Sequence, residues 1–247
     1  MFKKLKKFLV IPVIIAIVLS LVPMPLFTID VLAAPRTVYW VEVGGSGTGN
    51  WSDTAHWDEN ISGGAGGDAV PDSDDDVIFD NNSFVSGTGT VTVDATANCL
   101  NMDWTGATNN PTFAGSSAFQ LWGSLTFIEA MNRTFLGEFR AYGTGTIITN
   151  GRGLPGYVIA TDGTITLGDE LTCRWFRFDR GTLDTNNFGV TANIAGSTIA
   201  SAGVKTLTLG SSVVDVLGWN YSGSNLTVTA NTATIKITGT GAVGLGS

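Results

Sequence analysis

Histidine, cysteine and lysine are scarce in this 247-residue chain. The single histidine, His56, would have to serve any Ser-His-Asp or Cys-His catalytic site and any typical zinc centre. It lies between Ala55 and Trp57, far in sequence from either cysteine, and nothing nearby completes a triad, so its expected role is structural. Two cysteines, Cys99 and Cys173, allow at most one disulfide. In an exported chain they would either bridge or stay as buried thiols, and both readings stand at this stage. After residue 35 there is no run of Glu, Lys, Leu and Ala, which excludes long amphipathic helices.

Basic residues are present where they matter least for the fold. Lys3, Lys4, Lys6 and Lys7 precede an apolar stretch from Phe8 to about Ile29, the layout of an export signal. Val31-Leu32-Ala33 supplies small or β-branched residues for cleavage at the Ala33–Ala34 bond, whereas cleavage after Ala34 would put Pro35 at the rejected position. The alternative is an uncleaved anchor, since the stretch is long enough to span a bilayer. Pro12, Pro23 and Pro25 oppose that reading by interrupting a continuous helix. Either way the remainder is expected outside the cytoplasm, secreted or at the cell surface, with membrane contact only through the signal segment if it is uncleaved.

Without residues 1–33, nine basic residues face twenty acidic ones, a formal charge of −11. That balance argues against nucleic acid as a partner, because phosphate binding rests on Lys and Arg, and likewise against anionic membrane surfaces. What is abundant is Gly, Thr, Ser, Asn and Val. Short Thr/Val/Ile/Phe runs between Gly-Thr, Gly-Ser and Asn-Asn clusters read as many short strands with tight turns.

Those runs recur. Gly145-Thr146-Ile147, Gly163-Thr164-Ile165 and Gly181-Thr182-Leu183 follow one another at equal spacing. Flanking relatives are Gly123-Ser124-Leu125, Lys205-Thr206-Leu207, Asn225-Leu226-Thr227 and Thr234-Ile235-Lys236. A period near twenty with drift is what stacked coils tolerate, because extra residues loop out at corners. Alternation places Thr146, Thr164 and Thr182 in an outward column and Ile147, Ile165 and Leu183 in an inward one. Asn150, Gly168 and Asn186 fall at turns that favour left-handed backbone. The expected fold is all-β, a single-stranded right-handed parallel β-helix of around ten coils, on the order of 50 Å long at about 4.8 Å per coil. A pair of antiparallel β-sandwiches is the competing architecture.

Residues 34–80 differ in texture. Trp40, Trp51 and Trp57 surround a Gly-rich stretch, followed by a second Gly-rich stretch and the acidic run Asp72-Ser73-Asp74-Asp75-Asp76. A solenoid end needs covering, so this segment is expected to cap the repeats of residues 81–247, with the tryptophans over the first coil. Gly49-Asn50-Trp51-Ser52-Asp53 with Trp57, then Pro71 and Asp76-Val77-Ile78-Phe79-Asp80, resembles the opening of autotransporter-like and phage-adhesin-like Gly/Thr-rich β-solenoid proteins of bacteria. Gly181-Thr182-Leu183-Asp184-Thr185-Asn186 and Lys205-Thr206-Leu207-Thr208-Leu209 share that likeness. The resemblance implies surface display and adhesion and supplies no catalytic set. Members are often much longer, so the chain is expected to be either a short member or a fragment of a longer protein.

Two groups carry site chemistry. Asp72, Asp74 and Asp76 alternate as in the first half of a calcium loop, although the Gly and the distal Glu of such a loop are missing. Calcium is the one cofactor this leaves open, against a solvated acidic turn. Arg174, Arg177, Asp179, Arg180 and Asp184 surround Trp175, Phe176 and Phe178. Alternation puts Trp175, Arg177 and Asp179 on one face as a carbohydrate-binding patch, and Arg174, Phe176 and Phe178 on the other. Trp104, Trp122 and Trp219 are further candidate sugar platforms. The function expected is a structural or adhesive surface protein without catalytic activity, its partner a polysaccharide or a cell surface. The alternative is a β-helical carbohydrate-active enzyme or polysaccharide-binding module.

Overall fold

The computed structural model describes residues 35–192, 198–199, 203–221, 225–239 and 243–245. The lysine-led segment and its expected cleavage point lie outside them. The described chain is a β-solenoid whose coils each lay down three short strands, so that strands from successive coils stack into three faces.

The first face runs through Thr37–Trp40, Asp76–Ile78, Asn101–Asp103, Leu125–Thr126 and Gly145–Ile148. It continues through the second halves of the long strands Leu154–Leu167 and Leu171–Asp184, then Lys205–Thr208 and Leu226–Thr229. The second face stacks Ala97–Cys99, Phe119–Leu121 and Glu138–Ala141, then residues 156–160 and 175–180, then Thr198–Ile199, Trp219–Tyr221 and Val243–Leu245. The third holds Gly49–Asn50, Thr90–Val93, Thr112–Gly115 and Asn132–Arg133, and lower down residues 171–173, Val190–Ala192, Val213–Val216 and Thr234–Ile237. Every pairing within these stacks is parallel, which removes the antiparallel sandwich. The first face has nine rungs among the described residues.

Ile147, Ile165 and Leu183 all point inward and are buried, as the alternation requires. The columns themselves need correcting. Ile147 stacks on Leu167 and Thr146 on Thr166, not on Ile165 and Thr164. Thr164 and Ile165 instead head the next pairing, with Thr182 and Leu183, which continue to Thr206 and Leu207. The coil that begins at Ile147 therefore closes at Leu167 and not, as equal spacing predicted, at Ile165. The offset is an even number of positions, so the in-and-out sense stays intact. Asn150 and Asn186 do take left-handed backbone, with φ of 45° and 49°. Their amides donate to the carbonyls of Phe127 and Leu167 on the preceding coil. Gly168 does not share that conformation: its amide continues the ladder to the Ile147 carbonyl, and Asp169 receives the Thr149 and Asn150 amides instead.

At the N-terminal end, Trp57–Asp58 pairs antiparallel with Thr37–Trp40 and covers the edge that the first rung would leave open. Trp40, Trp51 and Trp57 are buried beneath it, packed edge-on against one another, and Phe79 and Trp104 stack below with ring centroids 3.7 Å apart. His56 is buried face-to-face on Trp40 at 4.5 Å, its Nδ1 hydrogen-bonded to the Val41 carbonyl at 2.9 Å. It is a core residue. Aromatic packing extends down the interior through Phe113, Phe119, Phe127 and Phe139, after which Ile, Leu and Val predominate, with Tyr157 and Phe178 among them.

Cys99 and Cys173 are buried free thiols on different coils, not a disulfide. Burial pushes the Cys99 thiol well up and the Cys173 thiol to about 12. Because the thiolate is the nucleophile, neither should react with an aromatic disulfide reagent in the native protein at mildly alkaline pH. Both should react once the chain is unfolded. One fast-reacting thiol in the folded state would contradict this packing.

Candidate functional site

The second face carries the candidate site. On this face Asn98, Gln120, Arg140, Val158 and Arg177 lie in one register column, and Glu138, Gly156 and Trp175 in the next. These are the outward positions of strands whose inward partners, Phe119, Phe139, Tyr157 and Phe178, are fully buried. Alternation thus ties a hydrophobic core to a polar and aromatic outer strip.

Charges on the strip are linked across coils. Arg177 grips Asp179 through two bonds, Nε to Oδ1 and Nη2 to Oδ2, both 3.0 Å. Its Nη1 lies 3.9 Å from Glu138 Oε1, two coils away. Glu138 also binds Arg140, and Arg140 Nη1 reaches the Tyr142 hydroxyl at 3.4 Å. The Tyr142 hydroxyl and Glu138 raise the basicity of Arg140. Val158, between Arg140 and Arg177, points outward yet is fully buried, so the long side chains close over it.

Two aromatic platforms flank this network. Trp122 and Tyr142 on adjacent coils stack with centroids 5.2 Å apart and planes inclined by 29°, and Trp122 is 38% exposed. Trp175 lies against Gly156, where an added Cβ would collide with the indole. Glycine is what lets the ring lie down on the sheet. Flat aromatic faces beside guanidinium, carboxylate and amide groups suit the apolar faces and hydroxyl edges of sugars.

Trp175, Arg177 and Asp179 therefore share a face as the alternation predicted. The rest of that cluster disperses. Arg174 does not point with Phe176 and Phe178, because the chain turns a corner there: Arg174 is exposed, Phe178 is buried and Phe176 packs on the core. Arg180 pairs with Asp162. Asp184 lies on the first face between Thr166 and Thr208. Trp104 is fully buried and Trp219 packs against the core, so of the three extra tryptophans Trp122 is the exposed platform. Glu138, Arg140 and Tyr142 belong to the site and were not singled out by the sequence.

The acidic run does not form a cage: among the described residues no three His, Cys, Asp or Glu side chains converge on a point that could hold a metal ion. Asp72 accepts the Asp74 amide at 2.9 Å. Asp76 accepts from Asn101 Nδ2 at 2.6 Å and starts an outward ladder, in which Asn101 accepts the Ser124 amide and Ser124 the Thr146 amide. The member that matters for the fold is Asp75, which is buried against Arg36.

No family model matches the chain, and no curated protein or solved structure is significantly similar to it.

Proposed function

We propose that the chain is an exported, structural or adhesive β-solenoid that binds polysaccharide along its second face and does not turn it over. The supporting observation is the in-register strip that combines the Trp122–Tyr142 stack and Trp175 with the Glu138–Arg177–Asp179 network. Export is supported by the basic and then apolar N-terminus. Binding without turnover is supported by how the carboxylates are used. Glycoside hydrolysis needs two carboxyl groups free to act on the scissile bond. Here Asp179 spends both oxygens on Arg177, and Glu138 bridges two guanidinium groups.

Trp122→Ala and Trp175→Ala are each expected to weaken retention on an immobilised polysaccharide about tenfold or more, the range for losing an aromatic anchor, with the melting temperature little changed. Affinity electrophoresis against a panel of neutral and acidic polysaccharides provides the readout. Wild-type retention by both variants would remove the second face as the binding surface. Turnover of a polysaccharide that Asp179→Asn abolishes in a folded protein would instead establish the enzyme reading.

A further inference from the structure

The geometry points to a second site, an anion-binding groove on the third face and its corner with the second, built by Arg133, Arg152 and Arg174 and suited to a carboxylate- or sulfate-bearing polysaccharide. Two depressions of about 440 and 420 Å³ share Arg133, Gly151 and Arg152 and so run into one another, and the second extends to Arg174. The three arginines come from three successive coils, so at about 4.8 Å per coil they line a strip roughly 10 Å long.

Their pairing sets them apart. The sequence holds seven arginines in a chain of net charge −8. Arg36, Arg140, Arg177 and Arg180 each form an ion pair with a carboxylate. The remaining three are those of the groove, and no carboxylate among the described residues lies within ion-pair range of any of them. Asp169, in the turn beside Asn150, is taken by the Thr149 and Asn150 amides. An acidic chain has carboxylates to spare, so three adjacent guanidinium groups without one are not explained by the fold's own electrostatics.

Nor do internal bonds use up their donors. Arg133 gives Nε to the Arg152 carbonyl at 2.8 Å and Nη1 to the Phe135 carbonyl at 2.6 Å, leaving Nη2. Arg152 gives Nη1 to the Met131 carbonyl at 3.4 Å, and its buried Nε has no acceptor among the described residues. Arg174 is exposed and has no partner among the described residues. Burial lowers the basicity of Arg133, a cost that a bound anion would offset. Guanidinium forks match carboxylate and sulfate oxygens. The polar remainder of the lining, Thr112, Asn132, Thr134 and Thr172, offers hydroxyl and amide groups, and no aromatic ring lines either depression. That favours sugar over a nucleic acid, whose bases need rings to stack on.

The test uses the purified exported chain with polygalacturonate, dextran sulfate, polyphosphate and neutral dextran as probes, at low and at physiological salt. Arg174 carries no internal bond among the described residues, so its substitution leaves the fold alone. Retention of one or both polyanions, but not of neutral dextran, is expected, and polygalacturonate against dextran sulfate distinguishes carboxylate from sulfate as the group bound. Arg174→Gln is expected to weaken it about tenfold and Arg174→Glu further, the scale of one charge-assisted contact. The fold-loss caused by Arg174→Glu should be the same in the wild-type and the Trp122→Ala backgrounds, which separates this groove from the second face whether or not that face binds sugar. Equal retention by wild type and Arg174→Glu, no retention of either polyanion at low salt, or tighter binding of polyphosphate than of both would each overturn the proposal.

Discussion

Ile165→Asp should unfold much of the solenoid or cost it more than about 4 kcal/mol, whereas Thr164→Asp next door should cost no more than about 0.5–1 kcal/mol. The two residues are neighbours on one strand and face opposite ways. Ile165 is fully buried and stacks on Leu183, which is buried in turn. Replacing it removes roughly 1.5–3 kcal/mol of transfer free energy, leaves a cavity and puts a carboxyl where it has no partner. Thr164 is half-exposed on the outer side, where Asp keeps its hydration. Denaturant midpoints of the two variants would compare them directly, and similar losses from both would contradict the inward and outward assignment. Because each coil contacts only its neighbours, hydrogen exchange in Ile165→Asp should accelerate first between Ile147 and Leu183.

That in-and-out assignment is legible in the sequence, because side chains alternate whatever the register. The register is not. The stretch of chain between stacked partners changes from coil to coil: it is longest from Val38 to Val77, much shorter from Val77 to Met102 and from Leu183 to Leu207, shorter again from Ile147 to Leu167 and shortest from Ile165 to Leu183. Corners absorb the difference, and a corner's length leaves no mark in the strand pattern. The Gly-Thr recurrence thus aligns residues of the right face with the wrong neighbours.

The candidate site follows the same division. Trp175, Arg177 and Asp179 could be grouped from a single strand, since one strand needs only alternation. Glu138, Arg140 and Tyr142 occupy the same outward pattern on Glu138–Ala141 and the residue after it, two coils earlier, and joining the groups requires Glu138 to face Gly156 and Gly156 to face Trp175. The signal was available in the Glu138-Phe139-Arg140-Ala141-Tyr142 alternation, but not its partner. The arginine groove is harder still. Arg133, Arg152 and Arg174 come from three coils at unequal separations along the chain, and only corner geometry brings them together.

The second large effect is expected from a residue that the alternating acidic motif passed over. Asp75→Ala should destabilise the N-terminal end by about 3–5 kcal/mol, the usual cost of leaving one member of a buried ion pair alone. Asp75 receives Arg36 Nε at 2.9 Å, the Arg36 amide at 3.2 Å and the Asp72 amide at 2.9 Å, and a further Arg36 nitrogen contacts its second oxygen. Its carbonyl takes the Leu100 amide, so this carboxylate anchors the entry of the first rung to the turn before the second. Burial alone would raise the Asp75 carboxyl, but the bonds from Arg36 and Asp72 outweigh it and hold the carboxyl below its ordinary value. A carboxyl depressed in the folded state stabilises fully above its unfolded value of about 3.9, and loses that contribution as pH falls through the lower folded value. Wild type and Asp75→Asn should therefore differ most above about pH 4 and converge only as pH falls below the depressed folded value. Urea midpoints measured across that range provide the comparison, and a gap that stays constant down to the acid limit would show that Asp75 stabilises by shape and not by its charge.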